Sequence, residues 1–271
     1  MGYRARRAGV ALAVVILAVG GLVIGGRALL HAARSAVHSD GCDFGDYTLD
    51  LDQSQVASTV VGVVLQRKLP ERAAVLTLGA ALQESKLRNI PAGQGDRDSV
   101  GILQQRPSQG WGSAAQIADI HYATGKFLDA VVKVPHWQSD SLATVVQQVQ
   151  FSADGSAYAK HEAEAQEIAD ALTGATAAAV TCDFGKPSQV ASPAAVSAAV
   201  LADLPVSTPV VSDKSITVPG AGWATSAWLV CNADRLGIGS VSYAGQQWRP
   251  SKGWRATSGS TSSGVVATLA G

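Results

Sequence analysis

The chain lacks any excess of charge: 21 basic residues balance 21 acidic ones. A nucleic-acid binder that works by neutralising phosphates needs a basic surplus, so no nucleic-acid partner is expected. Cysteine is scarce, three in 271 residues, and no two of them stand in a CxxC pair. The five histidines are scattered, and "HEAEA" at His161 to Ala165 lacks the second histidine of a zinc-binding HExxH helix. No metal site and no cofactor is therefore expected. "GQGDRDSVG", Gly93 to Gly101, has the glycines of a phosphate loop but no Lys-Ser/Thr and no preceding strand, which excludes that reading. Only one apolar run is long enough to span a bilayer, which excludes a transporter built from several spanning segments.

That run is "AGVALAVVILAVGGLVIGG", Ala8 to Gly26. As a helix it would cross a hydrocarbon core of about 30 Å. Arg4, Arg6 and Arg7 precede it, and basic residues on that side place the N-terminus in the cytoplasm. Residues 1–7 are thus expected to be a cytoplasmic tail, 8–26 a signal anchor and 27–41 a stalk. A cleaved signal has an apolar core of about 7 to 15 residues, shorter than this one. Small residues in "HAARSA", His31 to Ala36, keep secretion after cleavage as the alternative. The expected location is the cell membrane, single-pass, with the C-terminal bulk extracytoplasmic.

Cys42 and Cys182 each open the sequence "CDFG" and bracket the central segment. An oxidising compartment would let them staple its ends, leaving Cys231 over, although three thiols allow other pairings. Closing so long a loop is worth on the order of 4 to 5 kcal/mol in the chain-entropy account. Between the two cysteines the periodicity predicts five or six helices. Asp52 is read as the cap of a first helix ending before Pro70, and Pro70 as the opening of a second, "ERAAVLTLGAALQES". Further helices are predicted over 113–120, 121–134, from Ser141, and over 158–172 before Gly174. Residues 183–218 turn rich in Pro, Ala, Ser and Val and read as an extended linker. Residues 219–257 hold four of the six tryptophans and read as a small α+β module that leans on something else. Residues 258–271, with "GSTSSG", read as a flexible tail.

The second helix ends in "ALQESKLRN", Ala81 to Asn89, and so delivers Glu84 to a polar, Gly-rich loop. A carboxylate there feels the negative end of the helix dipole and loses solvation, and both raise its pKa. A carboxyl that stays protonated can donate to a leaving oxygen, as glycosidases require. The competing reading makes Glu84 an ion-pair partner of Arg88 or Lys86.

"ALQESKLRN" followed by "DSVGILQQRPSQGW" resembles the "ES, then S-x-G-x-x-Q" signature of the lysozyme-like transglycosylase superfamily, which includes goose-type lysozyme and soluble lytic transglycosylases. The stretch from Cys42 to Cys182, about half the chain, resembles extracytoplasmic actinobacterial proteins carrying such a domain. The resemblance implies a mainly α fold: a lysozyme-like helical domain over 42–182, after one N-terminal transmembrane helix, with the small C-terminal module beyond. It implies peptidoglycan glycan strands as partner and substrate, Glu84 as catalytic acid and base, and Ser85, Ser99, Gly101 and Gln104 as residues shaping the cleft. Gln105 and Trp111 are further cleft candidates. Where such enzymes carry "A-Y-N-x-G", this chain has Phe151 and Ser152, and Tyr158 is the candidate replacement phenol. A transglycosylase needs one carboxylate, because the muramyl C6 hydroxyl attacks and a 1,6-anhydro product forms. A hydrolase would need a second, and Asp96 and Asp98 are the candidates. A degenerate fold that binds or scaffolds the cell wall without turnover is the alternative. The tail "SAWLVCNADRLGIGSVSYAGQQW" is similar to the end of a C-terminal domain of actinobacterial cell-wall proteins related to metallopeptidase-like folds. Its upstream metal ligands have no counterpart here, so a remnant binding or packing module is implied.

Overall fold

The computed structural model describes residues 40–150, 155–257 and 263–271. The spanning segment expected over 8–26 lies outside them, as do Phe151 and Ser152. Among the described residues no helix is long and apolar enough to cross a membrane. Residues 40–271 form one compact unit.

The expectation of a mainly α architecture does not hold. The unit is α+β, with two antiparallel sheets of three and six strands beside the helices. The small sheet has the order β2-β1-β3 and is built from the two "CDFG" repeats. Strands β1 (Gly41–Phe44) and β2 (Tyr47–Leu49) form a hairpin whose turn uses Gly45 in the left-handed region, and β3 (Val180–Asp183) pairs along the other edge of β1. Cys42 and Cys182 are direct cross-strand partners, joined by a disulfide with their Cα atoms 3.9 Å apart.

The cap of helix α1 (Leu51–Gln66) lies two residues before the expected one: Asp50, not Asp52, closes a capping box with Gln53. Helix α2 (Glu71–Ser85) is the buried helix of the pattern, with Ala73, Ala74, Ala80 and Ala81 fully buried, and Pro70 stands one place earlier than expected, at its N-cap. Helices α3 (Ala114–Ala118), α4 (Ile120–Val131), α5 (Leu142–Gln150), α6 (Ser156–Ala159) and α7 (Glu162–Thr173) follow, and α7 stops at Gly174 with φ 80°. α2 packs against α7, α1 and α5, so its C-terminal end emerges from the core with little freedom to tilt.

The expected linker is folded. Ser192 caps helix α8 (Pro193–Asp203), with Pro193 at its first position, and strands β4 (Val210–Val211) and β5 (Ser215–Pro219) follow. Two helices, α9 (Trp223–Cys231) and α10 (Ala233–Leu236), then lead into β6 (Ile238–Tyr243), β7 (Gln246–Arg249) and β8 (Gly253–Ala256). The expected flexible tail supplies β9 (Gly264–Leu269), which lies between β5 and β6 in the order β4-β5-β9-β6-β7-β8. The rest of that tail, 258–262, lies outside the described residues. The module therefore begins before residue 193 and closes only with the last strand.

Its tryptophans join it to the first half. Trp248 is fully buried and donates to the Thr181 hydroxyl at 3.2 Å, while Trp254 donates to the Val180 carbonyl at 2.8 Å. Trp228 donates to the buried Asp203 carboxylate at 2.8 Å. One continuous core runs from Cys42 to Ala267.

Candidate active site

Helix α2 ends abruptly. Lys86 and Leu87 both take left-handed backbone angles, φ 55° and 58°, and the Leu87 N–H returns to the Ala81 carbonyl at 3.1 Å. Leu87 is fully buried and pins this reversal. Glu84, on the last turn, is left half-buried at the mouth of a cleft of about 400 Å³.

The cleft is completed from three directions. The loop after α2 contributes Asp96, Ser99, Leu103 and Gln104, and the short segment beyond it contributes Trp111. From the far side come Gln150, at the end of α5, and Tyr158, on α6. Tyr158 is 3% exposed, and its hydroxyl donates to Glu84 Oε1 at 2.5 Å. Burial pushes the Glu84 carboxyl above the usual glutamate range, and the Tyr158 hydroxyl pulls partly back. With Oε1 engaged by Tyr158, Oε2 is the oxygen left to carry a transferable proton.

The loop is held by its own backbone. Val100 and Gln105 exchange both N–H···O bonds, 2.9 and 3.1 Å, around a tight turn through Gly101 and Gln104. Gly101 has φ 78°, and a Cβ there would sit 2.7 Å from the Ile117 carbonyl, so only glycine fits. Gln104, left-handed at φ 47°, bonds the Gly101 carbonyl at 3.0 Å and faces the cleft.

Not every expected residue faces the cleft. Ser85 lies behind it: its hydroxyl donates to the Ile102 carbonyl at 2.7 Å and ties the helix end to the loop. Gln105, 1% exposed, reaches back to the Ala123 carbonyl at 3.1 Å. Gly101 shapes the wall without lining it. Asp98 also stands apart, accepting from Arg106 Nε and the Ser108 N–H at 2.8 Å each, and these donors hold its carboxyl far below the usual range. Asp96 does line the cleft with Glu84 and is exposed. The ion pair offered as an alternative role for Glu84 is not formed among the described residues, since Arg88 pairs with Asp50 instead.

Sequence reasoning missed Leu103, Arg106, Gln109 and Gln150 as cleft residues. Gln109 was within reach of the quoted motif, in "RPSQGW", but Gln150 arrives from a helix some 65 residues beyond Glu84 with no local signal. No family model matches the chain, and no curated protein matches it significantly.

Proposed function

We propose that the chain cleaves peptidoglycan glycan strands as a lysozyme-like enzyme, a lytic transglycosylase or muramidase working outside the cytoplasm. The observation that carries this reading is the Glu84–Tyr158 pair: a half-buried carboxyl, raised in pKa, at the mouth of an open polar cleft. In the first step Glu84 Oε2 protonates the glycosidic oxygen as the bond to the muramyl anomeric carbon breaks, leaving an oxocarbenium-like sugar. The Tyr158 hydroxyl bond strengthens onto the carboxylate this creates, so charge is stabilised as it forms. In the second step the same carboxylate takes the proton of the muramyl C6 hydroxyl while that oxygen closes on the anomeric carbon. No second carboxylate is required. This favours transglycosylation, because Asp98 is committed to Arg106 and the loop backbone, which leaves Asp96 as the sole candidate to hold a hydrolytic water among the described cleft residues.

The test is to incubate the protein and its Glu84→Gln variant with purified peptidoglycan and weigh the released fragments. Anhydro-ended fragments from the parent alone are expected. Reducing ends would make it a hydrolase and bring in Asp96. Retention of both proteins on the glycan with no release from either would make it a binding fold.

A further inference from the structure

A second cavity, about 650 Å³ and larger than the cleft at Glu84, opens beside Leu87, Arg88 and Asn89, the residues that follow α2. Its size is that of ligand pockets generally, about 300 to 1,000 Å³. Its walls come from α1, the start of α4, the end of α8 and the corner between α9 and α10, so it exists only because the C-terminal module is docked.

Arg235 is the group this cavity leaves unanswered. Its Nε donates to Asn232 Oδ1 at 2.7 Å, and Asn232, 0% exposed, is itself locked by bonds to the Ser58 hydroxyl and the Trp228 carbonyl. The guanidinium also lies over the Trp228 ring, 5.7 Å from its centroid. Its orientation is thus fixed, yet among the described residues its two terminal amino groups meet no acceptor. The nearby buried carboxylate is engaged with other donors. Asp203, 6% exposed, already accepts from His121 Nε2, Trp228 Nε1 and the Thr59 hydroxyl at 2.8, 2.8 and 2.9 Å. A planar fork held at one nitrogen and open at the other two matches a carboxylate in bidentate geometry.

The remaining charges select among anions, since the other basic groups lining the cavity are taken: Arg88 pairs with Asp50 and His121 with Asp203. Asp52 and Asp119 line the same cavity. Asp52 is exposed with no partner among the described residues, and Asp119 caps α4 through the Tyr122 N–H and faces His121. A phosphate dianion would be repelled by these two. A carboxylate with an ammonium on the same carbon would not.

We propose that this cavity binds the side-chain amino-acid end of a diamino-dicarboxylic residue in a peptide, its carboxylate on the Arg235 fork and the ammonium on the same carbon toward Asp52 and Asp119. The peptide branches of a wall polymer would be the source, an attribution that rests on the function proposed above, whereas the binding chemistry does not.

The test is calorimetric titration of the full-length protein in mild detergent with three probes: an alanyl-glutamyl-diaminopimelate tripeptide, the same tripeptide amidated at the side-chain carboxylate of its diaminopimelate, and inorganic phosphate. Saturable binding of the tripeptide is expected, weakened about tenfold or more by amidation and by Arg235→Gln, as for loss of a charge-assisted bond. Asp52→Asn, at an exposed position, should weaken the tripeptide alone and leave or improve phosphate. Glu84→Gln should bind the tripeptide as the parent does. No saturable binding by the parent, phosphate binding as tight as the tripeptide, or unchanged affinity in a folded Arg235→Gln protein would each overturn the proposal. Because none of these titrations reads bond cleavage, failure of the enzymatic reading and failure of this one are separately visible.

Discussion

Two side chains carry the proposed site, and both have simple physical signatures. Glu84 stands out in the sequence as a candidate because a carboxylate closing an apolar helix is costly to bury. Tyr158 was legible only through the resemblance, as a phenol standing in for a missing one, while its contact with Glu84 depends on how α6 folds back over α2. On the proposed function, replacing Glu84 by Gln should reduce cleavage by about 10² to 10⁴, the usual contribution of a general acid. It should also change stability with a definite sign. The folded-state pKa of Glu84 lies above its unfolded value, so ionisation costs the folded state, and this penalty grows as pH rises from the unfolded pKa through the folded one. Glu84→Gln should therefore melt higher than the parent at neutral pH and lose that advantage below pH 4, as thermal scans at the two pH values would show.

At the level of elements, the sequence displayed helices better than sheets. The α2 helix has an apolar face long enough to count, and Gly174 ends α7 as its position suggested. The linker misreading has a specific cause. α8 is apolar on nearly every side and lacks the polar stripe that marks an amphipathic helix, although Ser192-Pro193 is a start signal that could have been weighed. β9 was obscured by the Ser/Gly-rich stretch before it, and short strands paired across 50 residues leave no local trace. The loop wall makes the element-scale prediction. Gly101→Ala forces a Cβ to 2.7 Å from the Ile117 carbonyl at φ 78°, and should cost about 1 kcal/mol or more. On the proposed function, its cleavage should fall by more than its melting temperature alone explains, because Ser99 and Gln104 move with the turn.

In the whole molecule, two further contacts stand beside the tryptophan bonds that join the halves. In one, the buried free Cys231 thiol on α9 lies close to the Cys42–Cys182 disulfide of the first half, with all three sulfurs within 4.8 Å of one another. Cys42→Ser should therefore yield a Cys182–Cys231 disulfide on oxidative refolding, detectable by peptide mapping, and reduction of the parent should lower its stability by about 4 to 5 kcal/mol. The other is the His121–Asp203 pair, which joins α4 to the end of α8 at 2.8 Å and was invisible in a sequence that places its members 82 residues apart. The Asp203 bond raises the His121 pKa, against partial desolvation, with Asp119 also facing the ring and Arg235 near Asp203. The contribution of the pair is fully present below the unfolded histidine pKa and fades as pH rises through the folded one. His121→Gln should thus destabilise more at pH 5.5 than at pH 8.5, with a modest difference because the ring is partly exposed. The measurement that tests the central claim most directly is a titration of the Glu84 carboxyl itself, by carbon NMR of glutamate-labelled protein with Glu84→Gln to assign the signal. The account predicts a midpoint above the ordinary glutamate range that rises further in Tyr158→Phe. A Glu84 that titrates at the ordinary value, unmoved by the loss of the phenol hydroxyl, would contradict it.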